Sequence, residues 1–317
     1  MELSVVIPFL NEEASLEELF LRIQKTCTEN NLSYEIWFVD DGSTDMSWSV
    51  IENLMIDHPN VHGIKFSQNF GKSQALHAAF AEVVGNVVIT MDADLQDFPE
   101  EIPELYRMIK EENYDIVSGW KKIRYDKVLT KNLPSKLFNA AARRVSGIDL
   151  HDFNCGLKAY KNKVVKSIEV YGDMHRYIPV LAAHAGFRKI TEKPVKHQAR
   201  PYGSSKFGTE RFIRGFLDLL TLWFITKFGA RPMHFFGAMG TLMFVLGFLS
   251  ALLLGVYKLV EVYVFKVYGR LIVSNPWFFI ALTLMVLGTI LFVAGFLGEL
   301  IIRTRKLEKN YHIEKKV

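Results

Sequence analysis

The sequence predicts an α/β fold, a mostly parallel sheet with helices on both faces, followed by amphipathic interfacial helices and two transmembrane helices. Three observations carry this reading. From Leu3 to Ser118 short apolar runs alternate with segments of helical spacing, and strands separated by helices of that length pair in parallel. Several runs end in acidic residues, which lines one edge of the sheet with carboxylates, where open α/β sheets hold ligands. Finally, Phe235 to Tyr257 and Trp277 to Ile302 are almost free of charge apart from Glu299. Each is long enough for a bilayer, which needs about 20 predominantly apolar residues.

Leu3 to Pro8 is an apolar run stopped by proline, and Asn11 to Thr28 then shows helical spacing. Glu12 and Glu13 fall in its first turn, where acidic side chains suit the helix dipole. Tyr34 to Val39 is a second strand, closed by Asp40-Asp41-Gly42-Ser43-Thr44-Asp45. That turn is rich in acceptors, and Ser43 or Thr44 can cap the helix that follows. Val61 to Phe66 is a third strand, and Asn69-Phe70-Gly71-Lys72 leads from it into a helix from Ser73 to Val83. Val87 to Met91 is the fourth strand, Pro99 to Glu111 the next helix and Asp115 to Ser118 the next strand. From Lys121 to Ser146 the chain turns basic and helical, either a solvated face or a surface near anionic headgroups. Thr209 to Phe228 sets Phe212, Phe216 and Trp223 against Arg211, Arg214 and Asp218. This is the pattern of an interfacial helix leading into the bilayer, or else of a further buried helix of the soluble part. Asn275-Pro276 marks the start of the second span.

Charge placement orients the chain. Arg211, Arg214, Lys227 and Arg231 flank the first span and Arg303, Arg305, Lys306 and Lys309 follow the second, whereas only Lys258, Glu261, Lys266 and Arg270 lie between. The positive-inside rule then expects the N-terminal part and the tail in the cytoplasm, with a short outer loop. Met1 to Leu10 has neither a positively charged n-region nor a cleavage site, so no secretory signal is expected. The net charge of +4 gathers beside the spans, which suits anionic lipid rather than nucleic acid. Cys27 and Cys155 lack paired spacing and sit in a chain read as cytoplasmic, so no disulfide is expected. None of the nine histidines has metal-ligand spacing.

The chemistry concentrates at three acidic stations on successive strand ends: Asn11-Glu12, Asp40-Asp41, and Asp92 with Asp94. Read alone, Asp92-Ala93-Asp94 is either a solvated turn or a sparse oxygen site for a divalent cation that arrives with substrate phosphates. A diphosphate beside so many carboxylates needs such a cation. The sequence contains no G-x-x-x-x-G-K-[ST] and no G-x-G-x-x-G after the first strand, which argues against a P-loop phosphotransferase and a dinucleotide enzyme. A nucleoside diphosphate carrying a sugar is the better leaving group.

Val6-Ile7-Pro8 with Asn11-Glu12, Val39-Asp40-Asp41-Gly42-Ser43-Thr44-Asp45, Asn69-Phe70-Gly71-Lys72 and Met91-Asp92-Ala93-Asp94-Leu95-Gln96-Asp97 resemble the inverting family 2 glycosyltransferases of the GT-A, Rossmann-like fold. Arg200-Pro201-Tyr202-Gly203-Ser204-Ser205-Lys206-Phe207 followed by two spans is similar to the polyprenyl-phosphate sugar synthases within them. The family often has proline directly after Leu-Gln-Asp, where this chain has Phe98 before Pro99. The resemblance implies transfer of a hexose from a nucleotide sugar to a polyprenyl phosphate at the cytoplasmic face of a bacterial-type inner membrane. UDP-glucose is the first expectation, with GDP-mannose or a UDP-aminosugar as alternatives. It also implies residues 1–207 as catalytic domain, 208–231 as juxtamembrane helix, 232–303 as spans and 304–317 as tail.

By the same resemblance Pro8, Glu12, Asp40, Asp41, Lys72 and Asp92 line the nucleotide sugar, and Asp92 and Asp94 hold Mg²⁺ or Mn²⁺. Gln96 sits near the donor sugar, and Arg200, Ser205 and Lys206 meet phosphates of donor or acceptor. Arg176 is a further phosphate ligand or else a surface ion pair. Asp152 occupies the position taken as a base in relatives; gripping a sugar hydroxyl, or merely starting a turn near Gly156, are its other readings. Two competing functions have distinct signatures. A processive polysaccharide synthase would carry Gln-x-x-Arg-Trp and more spans, which this chain lacks. A tethered nucleotide-sugar binding protein would have no need of Asp92, Asp94 and Lys206. Gly237, Gly240 and Gly247 offer a face for self-association.

Overall fold

The computed structural model describes residues 1–122, 139–140, 142–144, 146–170, 172, 174–202, 220–221, 223–224, 227–229, 231–267, 269 and 271–304. In chain order the soluble part runs β1 (Leu3–Phe9), α1 (Leu16–Glu29), β2 (Tyr34–Asp40), α2 (Ser47–Asp57), β3 (Val61–Lys65), α3 (Lys72–Glu82), β4 (Val87–Thr90), α4 (Ile102–Lys110) and β5 (Ile116–Trp120). It continues with β6 (Lys158–Lys161), α5 (Asn162–Val165), a 3₁₀ turn at Met174–Tyr177, α6 (Ile178–His184) and β7 (Ile190–Pro194).

These strands form one sheet in the order β3-β2-β1-β4-β6-β5-β7. β6 runs antiparallel to both neighbours; the other pairings are parallel. β1 is buried at every residue, as expected for a central strand covered on both faces. On one face Val5, Ile7 and Phe9 join Leu19, Phe20 and Ile23 of α1 and Leu105 and Ile109 of α4. α3 covers the other with Ala75, Leu76, Ala79 and Phe80, the last edge-on to Tyr160 with centroids 6.0 Å apart.

This topology makes the site. The C-terminal ends of β1, β2, β4 and β5 share one edge. Because β6 is reversed, Lys158 at its start pairs with Thr90 at the end of β4. The segment leading into β6 therefore arrives at that same edge.

Local readings near the edge need correction. α1 begins at Leu16, not Asn11, because Asn11 adopts a left-handed φ of 54°. Glu12 and Glu13 thus lie in the loop, where Glu13 accepts the Met46 N–H at 2.9 Å. Neither Ser43 nor Thr44 caps α2. Ser43 Oγ instead accepts the Asn11 N–H at 2.9 Å, and the Thr44 N–H donates to Asn11 Oδ1 at 2.8 Å, so these residues tie two loops together.

The second unit contains α7 (Pro232–Tyr263) and α8 (Pro276–Thr304). Both are long and apolar enough to cross a membrane, with mean hydropathy 2.2 and 2.5, and α8 starts at the expected proline. The glycine face predicted for self-association is already occupied within the chain. A Cβ at Gly240 would lie 2.5 Å from the Gly288 carbonyl, and one at Gly247 would lie 2.6 Å from that of Ala281. Most of the juxtamembrane helix, most of the basic segment after Lys122, the tail, and the expected phosphate ligands Ser205 and Lys206 lie outside the described residues.

Candidate active site

β4 is apolar and wholly buried up to Thr90. Met91 makes the last bond of this ladder, donating its N–H to the Val6 carbonyl at 3.0 Å. The chain then leaves the sheet, and Asp92 is its first free residue. Leu95 turns the loop through a left-handed φ of 58° while fully buried. The Gln96 N–H donates to Asp94 Oδ1 at 3.2 Å.

A later segment straps this loop down. Gln198 donates its side-chain amide to the Leu95 carbonyl at 2.6 Å and its backbone N–H to that of Gln96 at 3.1 Å. Two residues on, the Arg200 guanidinium reaches the Glu12 carboxylate. The loops that follow the first and fourth strands are thereby joined.

The acidic pair is surrounded by cations. Lys72, on the first turn of α3, meets Asp92. Lys121, immediately after β5, places Nζ 2.7 Å from Asp97. Burial works against ionising Asp92, but Lys72 and Lys121 outweigh it and hold the carboxyl far below the usual carboxylate range. Asp94 has the opposite fate: burial, then the charge of Asp92, pushes it up to about 6. Burial also works against the charge of Lys121, yet Asp97 keeps it firmly protonated.

Behind Asp92 the chain closes tightly. Gly156 abuts the carboxylate, where a Cβ would lie 2.5 Å from Asp92 Cγ, and the Gly156 carbonyl accepts the Thr90 hydroxyl at 2.8 Å. Lys158, 3% exposed, donates to the carbonyls of Phe153, at 3.2 Å, and Cys155. Its ammonium, whose pKa burial lowers, braces the loop from beneath.

The other expected residues divide into groups. Pro8 is buried in β1, opposite Val39. Asp40 is fully buried and accepts the Ser43 N–H at 2.7 Å. Asp41 accepts the N–H groups of Phe70 and Gly71, at 2.7 and 3.0 Å, so it shapes the loop that delivers Lys72. Asp152 is 1% exposed and accepts the Asn154 N–H at 3.0 Å. That placement suits a loop-forming residue better than an open base. Arg176 lines a small cavity together with Lys72, Gly156 and Lys158.

Sequence reasoning gave no role to Lys121, Lys158 or His175. Lys121 was absorbed into a basic run, although its position directly after a strand end was the usable signal. Lys158 carries no such signal, because the short strand it opens alternates charged and apolar residues. His175 donates its backbone N–H to Ser73 Oγ at 3.0 Å, and its Nδ1 lies 3.1 Å from that oxygen. Burial, with Lys72 and Arg176 nearby, lowers its pKa well below the ordinary value, so the ring is neutral.

Asp92 and Asp94 fit a hard divalent cation of the kind that keeps several waters and takes its remaining ligands from phosphate. Among the described residues no three or more His, Cys, Asp or Glu side chains group as a closed metal cage. Burial first, and then the charge of Asp92, raise the Asp94 pKa, and a cation held there would favour its ionised form.

Residues 4–169 match the family described as glycosyl transferase family 2. The chain belongs to this family. It is 35% identical over 262 residues to a dodecaprenyl-phosphate galacturonate synthase of Rhizobium johnstonii, covering 82% of this chain and 78% of that one. It is 38% identical over 250 residues to an undecaprenyl-phosphate 4-deoxy-4-formamido-L-arabinose transferase of Pseudomonas fluorescens, covering 78% and 71%. Among solved structures it resembles glucosyl-3-phosphoglycerate synthase from Mycobacterium tuberculosis in complex with UDP, with a TM-score of 0.55 and 21% identity over 70% of this chain and 80% of that one. The same enzyme with Mg²⁺ and UDP gives 0.51 at 21% identity, over 69% and 79%. These structures establish the GT-A fold of this family 2 glycosyltransferase.

Proposed function

We propose that this glycosyltransferase moves a sugar from a UDP-sugar to a polyprenyl phosphate at the membrane surface, with inversion at the anomeric carbon and with Mg²⁺ or Mn²⁺ bound at Asp92 and Asp94. The observation that carries the reading is the acidic pair at the end of β4, ringed by Lys72, Lys121 and Arg200, in a chain with two helices long enough to cross a membrane. The relatives' activities toward dodecaprenyl and undecaprenyl phosphates support the acceptor class.

A phosphate monoester is already mostly ionised near neutrality, with a second pKa of about 6. Its oxygen attacks the anomeric carbon directly; the new C–O bond forms as the bond to the diphosphate breaks, and no proton has to be removed. This agrees with a buried Asp152, and we assign it to loop shaping rather than to a base. A bound divalent cation supplies charge that stabilises the departing diphosphate. Glu12, Asp40 and the Phe70 loop frame the nucleoside end, Gln96 faces the sugar, and Arg176 and Arg200 attend the phosphates. Residues 1–207 form the catalytic part, cytoplasmic in orientation.

The family resemblance implies glucose first, with GDP-mannose or a UDP-aminosugar as alternatives. The two relatives carry galacturonate and 4-deoxy-4-formamido-L-arabinose, which makes a polar-substituted sugar the stronger choice. The test gives the detergent-solubilised protein a short polyprenyl phosphate, Mn²⁺ and, separately, labelled UDP-galacturonate, UDP-4-deoxy-4-formamido-L-arabinose, UDP-glucose and GDP-mannose. Label entering the organic phase from one UDP-sugar, and lost in Asp94→Ala, is the expected result. Binding of UDP-sugars without any transfer would favour a tethered binding protein instead.

A further inference from the structure

Three cation–carboxylate pairs ring the crevice: Lys72 with Asp92, Lys121 with Asp97 and Arg200 with Glu12. The Lys121 pair is closed, with side chains 12% and 0% exposed. The Lys72 pair is open, at 31% and 32%, and it involves a carboxylate needed for the divalent cation. The backbone that delivers Lys72 is fixed, because Asp41 accepts the N–H groups of Phe70 and Gly71 and α3 begins at Lys72 itself. Only the four-carbon stem of the lysine is free to move. Gly156 lies against the other side of the Asp92 carboxylate, leaving no room there for a Cβ.

An ammonium and a dication on one carboxylate repel each other strongly at such separations. A nucleoside diphosphate changes the balance, since its oxygens can accept from the lysine while completing the coordination shell of the cation. We propose that Lys72 and the divalent cation exclude one another on Asp92, so that the cation is taken up together with a nucleoside diphosphate, to whose phosphates the lysine transfers. This inference rests on the metal-dependent transfer reading above. Lys72 is thus a positioning residue that changes partner during donor binding. Before the donor arrives it keeps Asp92 neutralised; afterwards it adds a charge-assisted bond to the phosphates. The alternative is a permanent ion pair that merely anchors α3 to β4.

The two are separated by Mn²⁺ titration of the full-length protein in detergent, read by electron paramagnetic resonance with no sugar donor present. Wild type should bind Mn²⁺ weakly alone and at least about tenfold more tightly with UDP, the scale of one charge contact near water. Lys72→Met should tighten Mn²⁺ binding in the absence of UDP by about the same factor, weaken metal-free UDP binding, and shrink the mutual enhancement. Lys72→Arg, which keeps the charge, should preserve the wild-type pattern and controls for damage to the fold. Unchanged Mn²⁺ affinity in Lys72→Met, with wild-type enhancement by UDP retained, would overturn the exclusion alone. Failure of wild type to bind Mn²⁺ with or without UDP would overturn the metal-dependent reading as well.

Discussion

Asp92 and Asp94 are two residues apart and their pKa values shift in opposite directions: against its burial, Lys72 and Lys121 lower that of Asp92, whereas burial and then the charge of Asp92 raise that of Asp94 in spite of Arg200. The folded Asp94 carboxyl has a pKa of about 6 against an ordinary 3.8. A raised carboxyl pKa means that the associated stability is complete below the ordinary value and is lost as pH rises through about 6. Asp94→Asn should therefore abolish transfer yet stabilise the protein at pH 7.5 by on the order of 1 kcal/mol. Thermal melts across pH should show this gain vanish toward pH 4. Protonation of Asp94 also competes with cation binding, so Mn²⁺ affinity in the presence of UDP should fall as pH drops below about 6.

Lys158 belongs to the same scale. Its ammonium serves the carbonyls of Phe153 and Cys155 from within the protein. Lys158→Met leaves those groups without a donor, at a cost of about 1–3 kcal/mol each where no water replaces it. Hydrogen exchange at the amides of Asn154 to Leu157 should accelerate in this variant before exchange in β1 changes. Equal acceleration in both would mean that Lys158 supports the whole sheet rather than the loop.

At the scale of elements, the closest fits are made by glycines. Gly156 gives Asp92 its place, and Gly156→Ala sets a methyl 2.5 Å from the carboxylate carbon. UDP-dependent Mn²⁺ binding should weaken by about tenfold or more, with a Tm shift of only a few degrees, as expected for local overpacking. In the second unit Gly240 and Gly288 each face the other's carbonyl, at 2.5 and 2.6 Å from a notional Cβ. Gly288→Leu should separate α7 from α8 and lower the melting temperature in detergent, whereas Leu→Ala at exposed Leu253 should leave it unchanged.

The elements also explain what the sequence could and could not disclose. Strands β1, β2, β4 and β5 are legible because each is a compact, mostly apolar run, and β3 because Val61 and Ile64 lie just ahead of the turn at Asn69. β6 and β7 were not, since Lys158 to Lys161 alternates charged and apolar residues and Ile190–Pro194 is only half-buried. Asp92, Asp94 and the loop of Lys72 were visible as strand-end motifs. The pairing of Arg200 with Glu12 and the brace at Lys158 were not, because partners so arranged are set by sheet order rather than by spacing.

For the whole molecule, the positive-inside pattern expects the catalytic part and the region after α8 on one side of the membrane and the α7–α8 connection on the other. Cysteine labelling tests this, because Cys27 and Cys155 are both buried and burial pushes each thiol up to about 12, leaving them silent toward maleimides. In intact cells a membrane-impermeant maleimide should react with Lys266→Cys and spare Lys25→Cys, whose parent side chain is 75% exposed. The reverse pattern would place the crevice on the outer side, away from cytoplasmic nucleotide sugars.

The reversed direction of β6 has a consequence for diversification. A parallel crossover must span the sheet, so its length is bounded by the strands it connects. β5 and β6 are antiparallel neighbours, and residues 121–157 leave and rejoin the sheet at the same edge. Insertions or deletions in this excursion leave the register of every strand intact. The length of chain between β5 and β6 is thereby uncoupled from the strand order that brings the carboxylates after β1, β2 and β4 to one edge.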